Sequence, residues 1–229
     1  MMEEGDKISK LKKLIKDRLT WDNRIDISQI EIYIQDDVVT LKGCVSTYPE
    51  KILAEIETQL VPGVKSVVND IEVKFPDSFE LRSDQDVEEA MFCLLDSNSE
   101  LDSSEVQVSI KNGVVILEGS LNSLWKSDKL QKMASQLVGV VSVKNNISIN
   151  PDEEISDKVI YDQIVTSLQN SVYVEAHRVN INVENGVVTL TGILSSMSEY
   201  DTVKEIIKFT KGVIKIKDKL KWVLRYQIT

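Results

Sequence analysis

The stretch Glu184 to Gly192, ENGVVTLTG, decides how this chain is read. Asn-Gly ahead of alternating apolar and polar residues describes a tight hairpin turn running into a strand. The same piece returns as KNGVVILEG at 111–119 and as QDDVVTLKG at 35–43. Gly43, Gly119 and Gly192 are each followed 20 residues later by Gly63, Gly139 and Gly212, in VPGVKSVVNDI, LVGVVSVKNNI and TKGVIKIKDKL. An interval held three times marks an internal repeat, which sets the architecture before any single element does.

Upstream of each hairpin, Ile30/Ile32/Ile34, Val106/Val108/Ile110 and Val179/Ile181/Val183 alternate with polar residues, as in a strand with one buried face. Further upstream, Leu11/Ile15/Leu19, Val87/Met91/Leu95 and Ile160/Ile164/Leu168 recur at helical spacing and mark the apolar face of an amphipathic helix. Asn112-Gly113 and Asn185-Gly186 tolerate the positive φ of a type I′ turn. Repeat 1 has Asp36-Asp37 there, so its turn is expected to be strained or of another type. The glycines at 43, 119 and 192 are read as closing the second strand.

A second helix is signalled by Thr47 with Glu50 and by Ser196 with Glu199, each fitting a capping box; Ser123 keeps the cap in repeat 2, where Lys126 replaces the glutamate. The later glycines suit the C′ position of that helix. A third strand follows, with Ile71/Val73, Ile147/Ile149 and Leu220/Trp222 on its apolar register. The expectation is an α+β chain of three tandem αββαβ modules, 1–77, 78–152 and 153–229. Each is a three-stranded sheet covered on one face by two helices.

These residues carry a resemblance. The alternating strand, the NGVVTLTG hairpin and the GVxxVxNxI stretch about 20 residues on resemble the BON domain, a family named for bacterial osmotically inducible and nodulation proteins. The resemblance covers nearly the whole chain, in three copies. It implies an αββαβ fold and a non-enzymatic role, commonly attachment to or interaction with phospholipid membranes in the bacterial envelope. Some members instead bind small ions or join multiprotein assemblies. The resemblance implies a periplasmic or peripheral-membrane location, whereas the charged opening MMEEGDKISKLKKLIKDRL lacks an apolar signal-peptide core and reads as cytoplasmic.

Composition narrows the function further. The 229 residues are 42% hydrophobic and 28% charged, with a net charge of −10, which disfavours nucleic acid as a partner. No apolar run approaches the roughly 18 residues that span a bilayer, so no transmembrane segment is expected. Cys44 and Cys93 fall at different places in the repeat, against a disulfide or a paired metal site, and are read as buried or half-buried thiols. His177 is the single histidine, matched by Ser28 and Ser104 in the other copies, and is read as a loop or strand-edge residue rather than a base. No Walker loop, GxGxxG, HExxH or EF-hand loop is present, so neither an enzyme nor a cofactor is expected. The acidic pairs Asp36-Asp37, Glu88-Glu89 and Glu153-Glu154 lack calcium-loop spacing and read as solvated or helix-start charges.

Asn69, Asn145 and Asp218 share one position inside an apolar strand register and are expected to bond local backbone. Trp21, Trp125 and Trp222 do not correspond between copies; Trp222 is expected in the core, and packing is the first reading of Trp21 and Trp125, with exposure at a bilayer interface or partner surface the alternative for either. Charge is uneven: residues 84–151 carry 10 acidic and 5 basic side chains, whereas 6–75 and 152–229 are nearly balanced. In the last strand Lys215, Lys217, Lys219 and Lys221 alternate with Ile214, Ile216, Asp218 and Leu220, so the lysines share one solvent-facing side. They could guard an edge strand from pairing, or offer a surface to anionic lipid or an acidic protein. The expected partner is a phospholipid surface or an envelope protein. The alternative is a cytoplasmic protein-interaction or small-ion and ligand-sensing scaffold. The basic end and acidic middle also permit a homo-oligomer.

Overall fold

The computed structural model describes residues 2–76, 82–101 and 105–222. Ser104 and the side chain of Trp222 lie outside the described residues. The first module runs α1 (Met2–Trp21), β1 (Ile30–Gln35), β2 (Val38–Val45), α2 (Tyr48–Gln59) and β3 (Ser66–Val73). The second runs α3 (Asp84–Asp96), β4 (Val106–Lys111), β5 (Val114–Leu121), α4 (Leu124–Ser135) and β6 (Ser142–Ile149). The third runs α5 (Asp157–Asn170), β7 (Val179–Glu184), β8 (Val187–Leu194), α6 (Met197–Phe209) and β9 (Lys215–Trp222).

Each module therefore has the expected αββαβ order, and each sheet is three-stranded with the middle strand of the sequence at its centre. In the first and third, a tight turn makes the first pair antiparallel, while the helical crossover makes the second pair parallel. The helical stripes read from sequence are buried: Leu11, Ile15 and Leu19 pack with Ile32, Val39, Leu41 and Ile71. Ile160, Ile164 and Leu168 pack in the same way with Val188, Leu190 and Ile207. Met91, Leu95, Leu117 and Leu130 are fully buried in the middle module.

The chain divides into two compact units. One comprises Met1–Leu94, Ser109–Ile116 and Met133–Lys144; the other comprises Leu95–Val108, Leu117–Lys132 and Asn145–Thr229. Within the second unit, Leu124 packs on the core of the third module, Trp125 stacks on Phe209 at 5.9 Å, and Lys208 pairs with Asp128 at 2.9 Å.

All three hairpins adopt one backbone. Asn112 and Gly113 have φ of 52° and 72°, Asn185 and Gly186 of 50° and 71°, and Asp36 and Asp37 of 53° and 63°. The first turn is thus not of another type; two aspartates take the left-handed conformation that the others give to Asn-Gly. In the second and third modules an aspartate from the first helix caps the turn. Asp84 accepts from the amides of Asn112 and Gly113 at 2.7 and 2.8 Å, and Asp157 from those of Asn185 and Gly186 at 2.8 Å each. In the first module Ile8 stands where those aspartates would be, and the polarity is reversed: Lys7 and Lys65 reach the Asp37 carboxylate at 2.9 and 3.1 Å. These donors hold the Asp37 carboxyl below its ordinary value, Lys7 first and Lys65 second.

The sequence expectations for the later glycines need correction. β2 and β8 do not close at Gly43 and Gly192 but run on to Val45 and Leu194. Both glycines have positive φ, 112° and 147°, and a Cβ on them would lie 1.8 Å from the Gln29 carbonyl oxygen and 2.1 Å from that of Arg178. Close approach of the chain entering β1 or β7 is what demands glycine there. Gly63 and Gly212 are not at C′ either; the helices end before them, with C-caps at Leu60 and Thr210, and the glycines sit in the following turn.

The capping boxes form, with a change of partner. Thr47 and Ser196 accept from the amides of Glu50 and Glu199 as expected. The glutamates, however, reach past the cap residue. Glu50 accepts from Ser46 N at 3.1 Å and Asp26 N at 2.6 Å, and Glu199 from Ser195 N at 2.7 Å and Glu175 N at 2.9 Å. Each buried carboxylate therefore binds the loop before the first strand to the start of the second helix.

Candidate functional site

β9 is an edge strand, and its two faces are fixed by different contacts. Ile216 and Leu220 pack against the core of the module. Between them, Asp218 accepts from Leu220 N at 2.9 Å and from Lys204 Nζ at 2.9 Å, and also from the Tyr200 hydroxyl. The expected local backbone bond is present, and the same side chain also ties the strand to α6. Asn69 does the equivalent in the first module, accepting from Ile71 N and donating to Lys51 O at 2.8 Å and Glu55 at 3.1 Å. Asn145 does so in the middle one, with Ile147, Ser127 and Gln131.

The charges at the third tether alter its chemistry. Burial, followed by the hydrogen bond to Asp218, pushes the Tyr200 hydroxyl well above its usual range. Burial alone would raise the Asp218 carboxyl, but Tyr200, Lys204 and the Leu220 amide together hold it below its ordinary value. With Asp218 tied inward, strand alternation sends Lys215, Lys217, Lys219 and Lys221 outward. All four are exposed, and among the described residues none of them forms an ion pair.

Their column runs beside β8 in register: Lys217 opposite Thr189, Lys219 opposite Thr191 and Lys221 opposite Ile193. The corresponding outward positions of β3 are Ser66, Val68, Asp70 and Glu72, and those of β6 are Ser142, Lys144, Asn146 and Ser148. The same backbone thus presents an acidic, a nearly neutral and a strongly basic edge in turn.

Elsewhere the structure separates the residues singled out from sequence. His177 lies on a 3-10 turn, Ala176–Arg178, largely exposed and 3.8 Å from Glu175, as a loop residue would be. Cys44 is half-buried, its thiol 2.6 Å from Gln29 Oε1, but Cys93 is exposed on α3, contrary to expectation. Trp125 packs on Phe209, whereas Trp21 is 88% exposed at the end of α1, so the packing expectation fails there. Asp36-Asp37 is a hairpin core held by lysines rather than a merely solvated pair. Among the described residues no group of three or more His, Cys, Asp or Glu could hold a metal ion, and no helix is long and apolar enough to cross a membrane.

The sequence reading missed Val172, Tyr173 and Ile193, which are large, apolar and exposed. A signal was present: Val172-Tyr173-Val174 is an unbroken apolar run in a short loop, and only one of its members can turn into the core.

The model of the BON domain matches residues 7–74, 83–151 and 156–223. The chain is 34% identical over 116 residues to an uncharacterized protein in the gshII 5′ region of Anaplasma centrale, covering 48% of this chain and 76% of that protein. It is 27% identical over 125 residues to osmotically-inducible protein Y of Escherichia coli K12, covering 52% of this chain and 62% of that protein, less than two thirds of its length. Among solved structures, CdsD, a structural protein of the Type III secretion system of Chlamydia trachomatis, aligns over 95% of this chain and 94% of its own. Identity there is 16% and the TM-score 0.27.

Proposed function

Because this chain belongs to the BON domain family, as three tandem domains in a family that is generally non-enzymatic, we propose that it is a binding protein whose partner is an anionic phospholipid surface, met through the outward face of β9. The observation that carries this reading is the column of four exposed lysines, without ion pairs among the described residues, on a strand whose other face is locked to the module. Each lysine near an anionic membrane contributes roughly 1 kcal/mol, so four acting together suffice for reversible, peripheral attachment. With a net charge of −10 the molecule as a whole is repelled by such a surface, which makes the attachment oriented.

Cosedimentation of the full chain with vesicles tests this reading. Phosphatidylglycerol-containing vesicles are expected to pull the protein down at low salt and to release most of it at high salt, while pure phosphatidylcholine vesicles bind little. Replacing all four lysines by glutamine should abolish the difference between the two lipids. Equal binding to both lipids, or none to either, would overturn the proposal.

A further inference from the structure

Three of the apolar side chains that the third module's own core does not use, Val172, Tyr173 and Ile193, gather at one end. Val172 and Tyr173 are 88% and 71% exposed in the loop after α5, and Ile193 is 55% exposed near the end of β8. Of the run Val172-Tyr173-Val174 only Val174 turns inward. The Glu199 carboxylate accepts from Glu175 N and Ser195 N together, which pins the loop beside the end of β8. Arg178 adds a second brace, donating to Ser195 Oγ at 2.6 Å and pairing with Glu175 at 2.7 Å. Ile193 is in register with Lys221, and Thr191 with Lys219. The apolar tip and the last two lysines therefore belong to the same end of the module.

The other modules show that this end is free to vary. In the middle one Leu101 is buried, as Val174 is, but the residues before it are Ser97, Asn98, Ser99 and Glu100. The middle module thus folds with polar residues at the two positions before its buried leucine, and Val172 and Tyr173 are surplus to the fold. The Glu175 carboxylate beside the tip is paired with Arg178, which leaves Lys219 and Lys221 as the charges that face a partner at this end.

We propose that the third module enters an anionic bilayer end first, with Val172, Tyr173 and Ile193 below the headgroups and Lys219 and Lys221 among them. This rests on reading β9 as an anionic-lipid surface and adds an orientation and a depth. Tyrosine suits the boundary, with an apolar ring and a polar tip, while valine and isoleucine gain by leaving water. The orientation grades the lysines. Alternate residues of a strand are about 6.6 Å apart, so Lys215 lies about 20 Å from Lys221, beyond the Debye length of about 8 Å at physiological ionic strength. Lys221 and Lys219 should dominate, whereas docking by the flat sheet face would weigh all four alike.

The test uses the full chain. Val172→Ser with Tyr173→Ser should leave melting unchanged, because both side chains are exposed, and should weaken binding to phosphatidylglycerol vesicles roughly tenfold at low salt. A polarity-sensitive fluorophore on Val172→Cys, in a Cys44→Ser, Cys93→Ser background, should shift to the blue on those vesicles. Lys221→Gln should weaken binding more than Lys215→Gln. Salt-sensitive binding that the serine variant leaves intact, without a blue shift, would overturn end-first entry and leave the lysine surface standing. Equal effects of Lys221→Gln and Lys215→Gln would also overturn it. Failure to bind at low salt would remove both readings.

Discussion

The hairpins of the first and third modules reach the same backbone with opposite charges. In the third, a helix carboxylate, Asp157, accepts the two turn amides of an Asn-Gly pair. In the first, the turn brings the carboxylate, Asp37, and lysines bring the donors. Asp157 satisfies backbone groups that the turn leaves open, whereas Lys7 and Lys65 neutralise a side chain that the turn itself introduced. The geometry is thus what the module requires, and the residues are one of at least two solutions to it. The same holds at the tether, where Asn69 with Lys51 and Glu55 becomes Asp218 with Tyr200 and Lys204.

The largest expected effect is one that the two modules share. Gly43→Ala and Gly192→Ala each drive a Cβ into a backbone carbonyl, at 1.8 and 2.1 Å, in a left-handed conformation. Each should destabilise its own module by about 3 kcal/mol or more, read as loss of amide-exchange protection module by module. A large difference between the two would show that the modules diverge beyond their turns and tethers.

Next comes the substitution that separates them. Asp157→Ala strips both turn amides of their acceptor and should cost about 1–2 kcal/mol in the same exchange measurement. Lys7→Ala removes only an exposed ion pair and should produce a much smaller change. Equal losses would break the distinction between capping a turn and neutralising a charge.

The smallest effect is a titration. Asp37 is held below the ordinary aspartate value of 3.8, so its pairing stabilises the fold above that value and is lost as pH falls through the lowered folded value. Carboxyl NMR should give Asp37 a midpoint below 3.8, and Lys7→Ala with Lys65→Ala should return it towards 3.8. A midpoint indifferent to both lysines would remove the ion pairs from the account.

The fold was legible in sequence where its causes are local. Helical stripes such as Ile160/Ile164/Leu168, alternation such as Ile30/Ile32, and the Asn-Gly turns each act within a few residues, and three copies reinforced one another. What was misread depends on distance along the chain. Nothing near Gly43 reveals that the Gln29 carbonyl lies against it, so an interior strand glycine reads as a strand end. Capping-box spacing matches Glu50 to its own cap residue, but the fold brings it the Asp26 amide. Asp84 and Asp157 share one offset from the helical stripe and are absent from the copy with Asp36-Asp37, a correlation that pointed to the turn. The lysine column was legible because alternation alone sends it outward. The apolar tip was not, since its meaning depends on which of three neighbouring apolar residues the core takes.

If the modules share a scaffold and the binding function lies in what differs between them, then exchanging the outward face of β9 for that of β3 should move the function and leave the fold. The direct measurement is the affinity of the full chain for phosphatidylglycerol vesicles after Lys215→Ser, Lys217→Val, Lys219→Asp and Lys221→Glu, the residues of the first module. The melting temperature is expected to stay unchanged and the affinity to fall to that for phosphatidylcholine vesicles. Undiminished binding to phosphatidylglycerol by the folded variant would contradict this.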